Sequence, residues 1–94
     1  MAEDAVATVQ IDNDRVTVTE WLLPPGASTG PHRHERDYVV VPRTGGELTL
    51  LLPNGERTVA GITAGQAYYR PAGAEHNVFN EGDSDIVFVE IEIE

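Results

Sequence analysis

Cysteine is absent from the 94 residues, which excludes disulfides and thiolate–metal sites and leaves the redox compartment open. Basic residues are scarce, six against sixteen acidic ones, for a formal net charge of −10. That deficit argues against nucleic acid and against anionic membranes as partners, because both are held by a basic face. No stretch approaches the roughly 18 apolar residues of a spanning helix. The start, MAEDAVATVQ, is acidic and has no apolar export core, so the cytoplasm is the expected compartment. A chain of this length makes a single domain, residues 1–94, and buries only a modest fraction of its surface. A second copy would add burial.

Helical periodicity is also nearly missing. The chain reads as short strands separated by turn residues, the pattern of an all-β sandwich or small barrel. VATVQI (6–11) and RVTVTEWLL (15–23) alternate around DND, and PPGASTGP (24–31) is a loop because its prolines and glycines cannot sit in a ladder. HRH, YVVV (38–41) and ELTLLL (47–52) follow, and Asn54-Gly55 predicts a tight hairpin turn. ERTVA, QAYYR, HNVFN and DIVFVEIEIE complete the set. The last run is apolar on both faces from Ile86 to Val89 and then alternates strictly to Glu94. Two readings fit it: an edge strand whose outer glutamates discourage aggregation, or a strand whose second face is covered by another subunit, making a homodimer.

Only three histidines are present, and their positions matter more than their number. His32 and His34 stand two apart, so on a strand both imidazoles share a face and can converge on one ion at about 2.1 Å. Alone, such a pair is also what an exposed polar strand looks like. The third, His76, lies in GQAYYRPAGAEHNVFN. Its spacing is Gly65, five residues, Pro71, one residue, Gly73, two residues, His76, three residues, Asn80. Upstream, five residues separate Gly26 from His32, and Gly45 closes the first segment.

These two segments resemble the two motifs of the cupin superfamily, and the second matches at all five fixed positions. The phrases VTEW, PPGASTG, HRH, DYVVVP, YYRPAGAEHNV and FVEIE are most similar to a group of small single-domain cupins that includes the β-alanine degradation protein. The resemblance implies a cupin-type jelly-roll β-barrel (a double-stranded β-helix), pairing into dimers, and one divalent transition metal ion, Fe, Mn, Ni or Zn, on His32, His34 and His76. Three neutral imidazoles would form one triangular face on the ion. Other positions would stay open for water or substrate, which suits catalysis more than structure. Pro71 and Gly73 would make the bend that starts the His76 strand, which is expected to bring His76 in from across the barrel.

The first motif departs from the family in one place. The usual fourth ligand is a glutamate, and that slot holds Tyr38. Asp37, one residue earlier, would need a bulge to point inward. A three-histidine ion keeps its +2 charge uncompensated by protein and should favour an anionic or chelating substrate. Tyr38 is the candidate catalytic residue, expected near the metal without binding it. Arg36 and Arg70 are candidates to clamp a carboxylate, with plain surface charge as their alternative. Tyr68, Tyr69, Phe79 and Phe88 read as barrel wall, Trp21 as core, and Asn80 as a turn cap. The functional expectation is a metal-dependent enzyme, isomerase, lyase or dioxygenase, acting on a small polar or acidic metabolite in catabolism. The alternative is a non-catalytic cupin that binds a small ligand or stabilises a partner, because no second acid–base residue stands out beside the histidines.

Overall fold

The computed structural model describes residues 5–94. Met1–Asp4, which carry part of the acidic start and of the expected 1–94 domain, lie outside the described residues. Nine strands follow one another without a helix among the described residues: β1 (Val6–Asp12), β2 (Val16–Leu23), β3 (His32–Arg33), β4 (Tyr38–Pro42), β5 (Gly46–Leu51), β6 (Arg57–Ile62), β7 (Tyr68–Arg70), β8 (Glu75–Phe79) and β9 (Ile86–Ile93). They make a five-stranded sheet in the order β1-β2-β9-β4-β7 and a four-stranded sheet in the order β3-β8-β5-β6. Every pairing is antiparallel. The crossed order, with β9 inserted between β2 and β4 and β8 between β3 and β5, is that of a jelly roll.

The turns form where the sequence supplies their chemistry. The Asn13 side chain accepts from the backbone N–H groups of Arg15 and Val16, closing the β1–β2 hairpin. Gly55 takes φ of 89° between β5 and β6, which a side chain would resist. Asn80, 1% exposed, donates to the carbonyls of Leu23 and Ser84 and accepts from Gly82 N–H. It is the turn cap its position suggested, and it ties the β8–β9 connection to the end of β2.

Between the sheets lie Leu23, Ala27, Tyr38, Val40, Leu48, Ile62, Val78, Ile86 and Phe88. Trp21 packs against this core half-buried. β9 overturns one of the two readings of its sequence. It is no edge strand, since β2 flanks it on one side and β4 on the other. Directly opposed residues share a sheet face, so Phe88, Glu90 and Glu92 line up with Trp21, Val40 and Tyr38. The glutamates therefore face inward with the core, and Val87, Val89, Ile91 and Ile93 face outward.

Candidate metal centre

The two motifs meet through backbone pairing. His32 stands directly opposite His76 in the β3–β8 ladder, and Arg33 opposite Glu75. His76 thus arrives as the cross-strand neighbour of His32 in the same sheet; the expectation that it comes from across the barrel is corrected. Just past β3, His34 N–H donates to Ala74 C=O and Gly73 N–H donates back to His34 C=O, each at 2.8 Å. Gly73 holds φ of 102° to do so, a conformation that explains glycine at that motif position.

The three imidazoles converge. His34 Nε2 lies 3.0 Å from His32 Nε2 and 3.3 Å from His76 Nε2. Donors about 2.1 Å from a common ion stand about 3.0 Å apart at right angles and about 3.4 Å apart at the tetrahedral angle. Both distances fall in that window. The ring nitrogens facing away are oriented by acceptors: His32 Nδ1 sits 2.9 Å from Gly30 C=O, and His34 Nδ1 faces the Glu92 carboxylate at 3.6 Å. Where Nδ1 donates to such an acceptor, as the 2.9 Å contact of His32 allows, the Nε2 lone pair is left free for an ion. Burial, then the neighbouring His32, pushes both His34 and His76 down to about 4. The three Nε2 atoms are turned toward one another, an arrangement that a cation between them would stabilise. The donor set fits a divalent transition metal.

Tyr38 is 3% exposed, and its ring stacks on His34 with centroids 3.9 Å apart and planes 21° apart. Burial, with Glu90 next, pushes its phenol up to about 12. Asp37 does not turn inward. It accepts from Ala72 N–H at 2.8 Å and from the Tyr69 hydroxyl, and these two bonds hold its carboxyl below its usual value. It anchors the Pro71–Gly73 bend. Tyr69 is accordingly 55% exposed and not barrel wall, whereas Tyr68 and Phe88 do line the interior. Phe79 is half-buried with the Arg57 guanidinium 5.8 Å from its ring.

A cavity of about 300 Å³ opens beside His76, bounded by Tyr38, Tyr68, Arg70, Phe88 and Glu90, with aliphatic residues behind. Arg70 lies over the Tyr68 ring at 5.5 Å. Arg36 pairs instead with Glu94 at 3.1 Å and is absent from the cavity wall. The sequence reading missed Glu90 and Glu92. Glu90 Oε2 lies 3.9 Å from His34 Nε2, with its side chain 14% exposed. Burial, then Glu92, pushes its carboxyl up to about 7. The signal was available: Ile86, Phe88, Glu90 and Glu92 share one parity, so placing Phe88 inside places both glutamates inside.

A jelly roll whose two histidine motifs meet at its mouth defines a cupin, and this chain belongs to that family. The cupin domain model matches residues 19–92. The chain is 60% identical over 89 residues to a β-alanine degradation protein, BauB, of Pseudomonas aeruginosa, covering 95% of this chain and 93% of that one. An oxalate-binding protein of Thermotoga maritima is 32% identical over 69 residues, 73% of this chain and 54% of that one. Among solved structures, a cupin domain from Bordetella pertussis Tohama I superposes with a TM-score of 0.96 at 55% identity, covering 100% of this chain and 97% of that one.

Proposed function

We propose that this chain is a metal-dependent cupin acting on a small carboxylate metabolite, in the breakdown of β-alanine or of a compound like it. The observation that carries the reading is the convergence of three imidazole Nε2 atoms, at 3.0 and 3.3 Å from His34, beside a cavity of about 300 Å³. That volume suits a small metabolite and no polymer. His32, His34 and His76 would hold one divalent ion, Fe, Mn, Ni or Zn. Bound there with open positions, such an ion supplies Lewis-acid polarisation or a site for dioxygen. The chain's own residues do the rest. Arg70 offers a fixed positive charge to a substrate carboxylate. Tyr38, kept protonated by burial, donates a hydrogen bond to a substrate oxygen, and this is its proposed catalytic part. The aliphatic wall of Val40, Leu48 and Val78 excludes water. Distant surface carboxylates are screened over about 8 Å, so the local charges set the preference. The name of the β-alanine degradation relative supports catabolism, and the cytoplasm is the proposed place.

The name of the oxalate-binding relative favours a second reading, in which the same site binds a carboxylate without turning it over. Both readings include a homodimer, supported by the outward apolar residues Val18, Leu22, Val39, Val89 and Ile91 on one sheet face. Calorimetric titration of the Fe-, Mn-, Ni- and Zn-loaded protein with short-chain carboxylates, alongside product analysis in air and without oxygen, tests the function. Turnover dependent on His76 supports an enzyme, and saturable binding with an unchanged ligand supports the second reading. Absence of both binding and turnover contradicts the proposal.

A further inference from the structure

The motif position that usually supplies an anion to the centre holds Tyr38, and the nearest carboxylate on that strand, Asp37, is tied to Ala72 N–H and the Tyr69 hydroxyl. A divalent ion on three neutral imidazoles would keep its full charge inside a largely apolar cavity. That costs free energy unless an anion stands close. One does, on a different strand. Glu90 of β9 points inward in line with Val40, lines the cavity with His76 and Tyr38, and brings Oε2 within 3.9 Å of His34 Nε2.

We infer that Glu90 is the anionic donor of this centre, a carboxylate delivered by β9 in place of the glutamate missing from the first motif. Two donors about 2.1 Å from one ion lie between about 3.0 Å (at right angles) and about 4.2 Å (opposite) apart. The Glu90–His34 separation of 3.9 Å falls inside those limits. Glu90 groups within 4.8 Å of His34 and Glu92, and not with all three imidazoles. To reach an ion on all three imidazoles the carboxylate must rotate about its own side-chain bonds, the backbone being held by β2 and β4 on either side. His34 joins the two groups, being the residue common to both.

A carboxylate from β9 changes what the site should take. With one protein charge already on the ion, the centre carries a net charge near +1 in place of +2, and substrate capture shifts toward Arg70. The position of Glu90 also supplies the acid–base candidate that the sequence reading lacked.

The inference rests on the three-histidine centre, and its test separates the two. Metal affinity is measured by competition with a chromogenic chelator for wild type, His76→Ala, Glu90→Gln and Glu90→Gln/Tyr38→Glu. Cobalt(II) absorption spectra report the donor set of each protein that binds. Glu90→Gln should bind at least tenfold more weakly, with a cobalt spectrum altered from wild type, and Tyr38→Glu should restore affinity in the double variant. Glutamine keeps the volume of the side chain, and circular dichroism verifies that each variant is folded. If wild type binds metal, His76→Ala does not, and Glu90→Gln matches wild type within twofold with the same spectrum, this inference is wrong and the centre stands. If wild type fails to bind, the centre itself is wrong.

Discussion

The two faces of β9 carry the same alternation to opposite ends. Its inward residues begin apolar and become acidic: Ile86 and Phe88 close the core at 4% exposure each, and Glu90 and Glu92 then bracket His34. Its outward residues, Val87, Val89, Ile91 and Ile93, stay apolar throughout, and Ile93 reaches 40% exposure. In an ordinary antiparallel strand with one wet face, polarity marks the outside. Here the order is reversed along the last four residues of β9. Half-buried carboxylates beside imidazoles are what the proposed metal ion would complete, and the apolar outer face is what the proposed second copy would cover. Under the proposed function the inner face serves chemistry and the outer face association.

Breaking the inner face at its apolar end should cost most. Phe88→Ala removes a ring packed between the sheets and should lower unfolding free energy by about 3–5 kcal/mol, read from urea denaturation. A loss near zero would mean that the inner face is not the core. On the outer face, Ile91→Asp should leave the fold intact and move sedimentation from twice the 10.2 kDa chain mass toward a single copy. A wild type that sediments as one copy at micromolar concentration removes the contrast altogether.

Smaller changes sharpen the comparison. Tyr38→Phe should keep the metal and weaken ligand binding about fivefold, the worth of one hydrogen bond of about 1 kcal/mol. Ligand affinity unchanged in calorimetry would reduce Tyr38 to packing against His34. The smallest effect should come from Asp37, which serves the bend and not the ion. Its carboxyl is depressed in the fold, so its contribution to stability is present above the unfolded value and is lost as pH falls through the folded one. Asp37→Asn should lower the melting temperature modestly at neutral pH, and the gap to wild type should close on acidification. A gap that widens on acidification contradicts this account.

Much of the fold was legible because turn chemistry is local. Asn54-Gly55, the Asn13 turn and the Pro71–Gly73 bend fix strand ends from a few residues each, whereas the apolar runs VVV and IVFV leave their faces to the register of the sheet. The histidine trio was legible because its spacing is fixed by the bend before His76 and by the two-residue period of HRH. Three things were not. Pairing of His32 with His76 depends on which strands become neighbours, a choice made by the whole barrel. The exposure of Tyr69 follows from its bond to Asp37, 32 residues away in the chain. Glu90 was not singled out: one of the two readings of its run put the glutamates outside, glutamate is almost never buried unless paired, and its neighbour His34 lies 56 residues earlier.

The central claim, that the inner end of the barrel is a metal centre, is tested most directly by metal stoichiometry. Protein stripped with a chelator is titrated with Zn, Mn, Ni and anaerobic ferrous ion in a calorimeter, and melting is followed in parallel. The account predicts one ion per chain, lost in each of His32→Ala, His34→Ala and His76→Ala. It also predicts a stability gain of about 2.7 kcal/mol when free metal reaches a hundredfold excess over its Kd. Full metal content in the His76→Ala protein, or no saturable binding of any of the four ions to wild type, would contradict it.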